Sequence, residues 1–270
     1  MLRSANGSIR LFRVAGIDVF LHWSWLVVAL IELQYRTNHY RSQAWNIAEY
    51  LALFGIVLLH EFGHALACRQ VGGTAHRIVL WPLGGVAFVS PPPRPGALLW
   101  SIAAGPLVNV ALIPVTVGLF WLSMHLGWHA TMPDAYRFCL ALAIINGTLL
   151  VFNLLPFYPL DGGQILQALL WFVMGQARSL LAVSILGLLA GLGVLGLIGW
   201  EVFGQGVNIS DLGWLGVIAL FTTYRSWIGF QQARMLAKIL NAPRHREAMC
   251  PSCGESPRMG AFRLCPQCRT

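Results

Sequence analysis

His60-Glu61-Phe62-Gly63-His64 closes an apolar run, Tyr50 to Leu59, that carries no charged side chain. On a helix, His60 and His64 stand at i and i+4 on one face and can turn both imidazoles toward one metal ion. Glu61 lies beside them, placed to act on water at the metal rather than to bind the metal itself. This is the H-E-x-x-H pattern of helical zinc sites, set here in a segment suited to lipid.

Composition agrees with that setting. Of 270 residues, 57% are hydrophobic and only 10% charged, with mean hydropathy +0.65; soluble domains carry about 25% charged residues. The net charge of +8 reads as basic loops held on the cytosolic side of a bilayer. Nucleic acid is not expected as a partner, because no basic stripe interleaves with aromatics. No small-residue cleavage site follows the first apolar run, so an uncleaved span is expected there.

Taken in order, the chain predicts an all-α polytopic membrane protein with about six transmembrane helices and a short β-like membrane-associated segment. After a polar lead-in over 1–17, the expected spans are 18–33, 47–68, 97–123, 138–158, 180–200 and 212–224. His22, in the first of these, reads as an interfacial histidine in an aromatic belt. Between the second and third spans, residues 71–95 hold two short β-like runs joined by Pro82-Leu83-Gly84-Gly85. Their strand edge could take up an extended peptide through main-chain hydrogen bonds; an ordinary loop is the other reading. Residues 164–174 form an apolar interfacial or re-entrant helix.

Arginines orient the chain. Arg3, Arg10 and Arg13, then Arg69, Arg77 and Arg94, then Arg225, Arg234, Lys238, Arg244 and Arg246 fall on one side of a six-span arrangement. The other side carries Arg36, Arg41 and Arg137, diluted by Glu32, Glu49, Asp134, Glu201 and Asp211. Both termini are therefore expected in the cytosol. The same arrangement brings Asp161, just past the fourth span, to the membrane depth of His60 and His64. A catalytic zinc usually takes three protein ligands, and intramembrane acids are costly unless used. Asp161 is the economical third ligand, although it also suits a helix N-cap.

His60-Glu61-x-x-His64 in one span and Asn153-x-x-Pro156-x-x-x-Leu160-Asp161-Gly162-Gly163 at the end of a later one resemble the site-2 protease family of intramembrane zinc metalloproteases. Pro82-Leu83-Gly84-Gly85, Gly105-Pro106-x-x-Asn109 and Gly16-Ile17 with His22-Trp23 are also similar to segments of that family, and the likeness covers residues 10–175. The resemblance implies regulated intramembrane proteolysis: peptide-bond hydrolysis within or beside a transmembrane segment of a membrane-protein substrate. It implies zinc ligation by His60, His64 and Asp161, and general-base and proton-shuttle duty for Glu61. It further implies a substrate- or oxyanion-supporting role for Asn153, and substrate contacts at Gly84, Gly85 and Asn109. In such a reaction zinc lowers the pKa of its water toward ~7 and polarises the scissile carbonyl, and Glu61 carries the proton to the leaving amine. The PDZ and paired CBS domains found in parts of the family have no counterpart in the sequence. The competing reading is a metal-binding membrane protein that holds transmembrane segments or partners without cutting them.

The six cysteines divide. Cys68 and Cys139 are lone apolar packers. Cys250-x2-Cys253 and Cys265-x2-Cys268, with 11 residues between the pairs, have the spacing of a structural four-thiolate zinc site and resemble a minimal zinc ribbon. The expected organisation is a transmembrane metalloprotease domain over 1–230, a linker over 231–248 and a zinc-ribbon-like tail over 249–270. The tail offers a docking point for a regulatory protein.

Overall fold

The computed structural model describes residues 7–35, 39–81, 84–204, 206, 209–243, 249–250, 252, 254 and 256. The described chain divides into two compact units, residues 1–172 and residues 173–270.

The first unit opens with strands β1 (Ser8–Val14) and β2 (Ile17–His22), followed by helices α1 (Ser24–Tyr35) and α2 (Gln43–Gln70). Strands β3 (Thr74–Trp81) and β4 (Gly84–Ser90) come next, then helices α3 (Pro95–His125), α4 (Trp128–Thr131), α5 (Pro133–Asn153) and α6 (Asp161–Met174). The four strands form one sheet in the order β1-β2-β3-β4. The β1–β2 and β3–β4 pairs are antiparallel, and β2–β3 is parallel. Parallel neighbours need a long crossover, and α1 with α2 supplies it.

The β-like runs at 71–95 are thus a true hairpin. The expected span over 18–33, by contrast, is corrected. Its first residues are β2, and α1, with 12 residues, rises only ~18 Å against a ~30 Å hydrocarbon core. The physical reason is that β2 is a buried inner strand. Ile17 and Val19 have no exposed surface and pack with Ile78 and Leu80 of β3 against Val57 and Ala65 of α2. An inner strand buried on both faces reads as a continuous apolar run and loses its alternation. His22 ends β2 stacked on Trp81, with ring centroids 4.0 Å apart.

Among the described residues, four helices are long and apolar enough to cross a membrane: α2, α3, α5 and α7 (Gln176–Gly204). Helix α2 starts at Ser42, whose side chain caps the Ala44 N–H. The Asp134 carboxylate at the start of α5 accepts the backbone N–H groups of Arg41 and Ser42. Asp134 is thereby tied to the far end of α2 from His60. At the near end, Arg69 donates to the carbonyls of Ala15, Gly16 and Ala75, fastening the β1–β2 turn and β3 to α2. Helices α2 and α3 cross where Gly63 faces the backbone of Ala104; a Cβ there would lie 2.7 Å from the Ala104 carbonyl oxygen. Such small-residue contacts let membrane helices approach closely.

The second unit is a helical pair, α7 and α8 (Ile209–Asn241). Gly191 of α7 leaves room for Thr223 of α8, and the Thr223 hydroxyl returns to the Ala219 carbonyl at 2.8 Å. Helix α8 continues well past the expected span over 212–224, so residues 231–241, expected as linker, are its last turns. Of the cysteine tail, Cys250 is described; Cys253, Cys265 and Cys268 lie outside the described residues.

Candidate metal centre

Three donor atoms converge in the first unit. The Nε2 atoms of His60 and His64 are 3.1 Å apart, and Asp161 Oδ2 lies 3.0 Å from the first and 3.3 Å from the second. His60 and His64 are buried, and the Asp161 side chain is 14% exposed. Among the described residues this is the group of His, Cys, Asp or Glu side chains able to hold a metal.

Helix geometry brings the histidines together, and a tight loop brings the acid. Asp161 opens α6 directly after the turn over 154–160. The next two residues must be glycine for the turn to close. A Cβ at Gly162 would overlap the Leu154 carbonyl group, and one at Gly163 would overlap the Phe157–Tyr158 backbone. Gly105 of α3 is equally constrained, because a Cβ there would overlap the His64 ring at Nε2.

The hydrogen bonds behind the histidines set their tautomers. His64 Nδ1 sits 2.9 Å from the Ser101 carbonyl oxygen, which can only accept, so Nδ1 carries the proton. His60 Nδ1 sits 2.5 Å from Asn109 Oδ1, again an acceptor. Both Nε2 atoms therefore present lone pairs, and Asp161 Oδ2 is buried with no hydrogen-bond donor. Three acceptors facing one another without a proton between them call for a cation. Tetrahedral zinc, with bonds of ~2.0–2.1 Å, holds its ligand atoms ~3.3 Å apart, which fits the observed 3.0–3.3 Å. An imidazole, imidazole, carboxylate set is also a known catalytic-zinc donor set.

Glu61, also buried, does not join this group. Its Oε2 accepts the Ala87 N–H of β4 at 2.8 Å, and a Cβ on Gly85 would overlap its side chain. The Glu61 carboxylate is thus held against the sheet's edge strand, beside the donor triad.

Among the other residues singled out in the sequence, Asn109 has no exposed surface. Both ends of its amide are engaged, by His60 and by Asn146. It stands behind a histidine, where no substrate contact is available. Asn153 is half-buried in the last turn of α5, seven residues beyond Asn146 and so on the same helix face. Gly85 lies on β4 opposite Leu80. Sequence reading missed Ser101 and Asn146, and it singled out Gly105 without its role beside His64. Their signal was a spacing of four in Ser101-x3-Gly105-x3-Asn109, one stripe of a helix, and a second Asn on the face of Asn153.

Comparisons with known proteins agree with this geometry. Residues 121–194 match the profile of peptidase family M50, a stretch that includes Asn153 and Asp161. A zinc metalloprotease of Methanocaldococcus jannaschii is 34% identical over 178 residues, covering 64% of this chain and 49% of that protein. A Synechocystis relative is 29% identical over 258 residues, covering 90% of this chain and 63% of its own length. The chain thus spans about half to under two thirds of these curated relatives. The solved site-2 protease from Methanocaldococcus jannaschii superposes with a TM-score of 0.54 at 25% identity, over 83% of this chain and 95% of that one. By motif order, donor set and fold, the chain is similar to the site-2 proteases, and residues 121–194 carry its match to peptidase family M50.

Proposed function

We propose that this chain is a zinc metalloendopeptidase that hydrolyses peptide bonds within or next to transmembrane segments of membrane-protein substrates, as a step of regulated intramembrane proteolysis. The observation that carries the reading is the donor-less convergence of His60 Nε2, His64 Nε2 and Asp161 Oδ2, with the Glu61 carboxylate beside it. A zinc ion held by these three residues would supply Lewis acidity toward a water and a scissile carbonyl. Glu61 would accept the proton of the attacking water at its carboxylate and deliver it to the leaving amine. The Ala87 N–H keeps that carboxylate oriented.

A substrate helix hides its carbonyls in its own hydrogen bonds and must be extended before it is cut. Strand β4 is an edge strand of the sheet. The Ala87 N–H points away from β3 toward Glu61, and Gly85, two residues along, turns its N–H and C=O to the same free edge. An extended segment pairing at Gly84-Gly85 would lie alongside the base. Asn153, half-buried on the α5 face that also carries Asn146, would support the reacting carbonyl. Asn109 is assigned to positioning.

The tail would bind a second, structural zinc through Cys250, Cys253, Cys265 and Cys268. Support comes from a tight turn, in which the Gly254 N–H donates to the Cys250 carbonyl at 2.8 Å and Gly254 takes φ +71°. Beyond the four apolar helices, α8 would add a crossing that returns the chain to the arginine-rich face, which would put the C-terminal tail in the cytosol. The test is turnover of a transmembrane substrate by purified protein. Wild type should cleave, while Asp161→Ala should lose the zinc of the membrane site together with activity. Full activity in Asp161→Ala would refute the donor set, and full activity in Glu61→Gln would refute the mechanism.

A further inference from the structure

The tautomer of His60 depends on which end of the Asn109 carboxamide faces it. The two ends of an amide are nearly isosteric. Turned over, Asn109 would offer Nδ2–H to His60, drive the imidazole to carry its proton on Nε2, and place that proton where a metal must bind. Nothing in Asn109 itself selects the orientation. Asn146 does. Its Nδ2 donates to the Asn109 backbone carbonyl at 3.0 Å. A carbonyl oxygen only accepts, so the Asn146 amide has one allowed orientation, with Oδ1 toward Asn109. That Oδ1 accepts Asn109 Nδ2 at 2.8 Å, which leaves Asn109 Oδ1 for His60 Nδ1 at 2.5 Å. Both asparagines have no exposed surface, so water does not compete for either amide. The constraint runs from one backbone carbonyl of α3, through two side chains, to the lone pair on His60 Nε2.

We propose that Asn146 is a positioning residue that acts as an orientation lock: through Asn109 it holds His60 in the tautomer that binds metal. This rests on the metal centre proposed above and adds to it a residue on α5 that touches neither metal nor substrate. The competing role is a plain interhelix hydrogen bond joining α3 to α5, of the kind that polar residues make in membrane helices. The two roles predict different behaviour when Asn109 becomes an aspartate. A carboxylate has two accepting ends and no wrong orientation, so it needs no lock. Nor does it replace the α3–α5 bonds that Asn146 made.

The experiment measures zinc affinity of the full chain in detergent at pH 7 by competition with a chelator, with Asp161→Ala reporting any zinc bound elsewhere. Asn146→Ala is expected to weaken the Asp161-dependent zinc about 10- to 100-fold, the usual effect of losing a residue that orients a ligand. In the Asn109→Asp background the same Asn146→Ala change is expected to alter zinc affinity by less than about threefold, judged against that factor. An equal loss in both backgrounds, or no loss in either, overturns the lock. So does a chain that cannot fold without Asn146 in either background, since Asn146 is then a structural residue. A wild type whose zinc is unaffected by Asp161→Ala would instead overturn the metal centre itself, and the lock with it.

Discussion

At the scale of single residues, two glycines divide the labour of the site. Gly105 gives room to the His64 ring, and Gly85 gives room to the Glu61 carboxylate. Adding a methyl group at each should separate binding from chemistry. Gly105→Ala forces the His64 ring off its line and should weaken zinc at least tenfold, read by chelator competition, because displaced ligand geometry commonly costs that much. Gly85→Ala should leave zinc in place and lower kcat, because it moves the base and not the ligands. Glu61→Gln should likewise retain zinc while losing about 10²- to 10⁴-fold in kcat, the usual contribution of a positioned acid–base group. His60, Glu61, His64 and Asp161 were legible in the sequence because ligand chemistry restricts residue type and helix spacing restricts position. Asn109 was singled out for the wrong surface. Its role depends on what lies behind an imidazole, and no spacing rule reports that.

Whole elements were legible where length decided between alternatives. The runs that became α2, α3, α5 and α7 are too long and apolar for strands. The run beginning at Asp18 was not so constrained. Val19-Phe20-Leu21 can open a helix or form a buried strand, and periodicity alone does not separate the two. Its pairing with 77–80 of β3 settles the matter, and that partner lies more than fifty residues away. The hairpin over 74–90 was readable because its Gly and Pro turn signals are local. Arg69 links these elements, since its guanidinium joins the β1–β2 turn and β3 to the end of the helix that carries both histidines. Arg69→Ala should lower the apo protein's stability by about 1–3 kcal/mol, given the usual worth of charge-assisted hydrogen bonds, read as a lower Tm. Zinc affinity should stay within a few-fold of wild type. The cleavage rate should fall, since the sheet that carries β4 past Glu61 is less firmly held.

For the whole molecule, the two proposed zinc sites predict a simple stoichiometry. The wild-type protein should carry two zinc ions, Asp161→Ala one and Cys253→Ser one, by elemental analysis of detergent-purified protein. Equal losses in both variants would show the centres to be independent; a single zinc in the wild type would remove one of them. If the tail is cytosolic as proposed, Asn241→Cys, at the end of α8, in a chain whose native cysteines are replaced by serine should react with an impermeant thiol reagent only when the cytosolic face is open. The sequence by itself determined a membrane protein with a helical metal site, an acid returning to it from a later segment, and a thiolate tail. Composition, helical spacing and turn residues are local properties and survive without coordinates. The tertiary structure alone decided the four-stranded sheet, the docking of Glu61 on Ala87, and the Asn146–Asn109–His60 relay. Each of these joins residues distant in the chain through hydrogen bonds whose direction depends on which group donates, and a sequence does not state who faces whom.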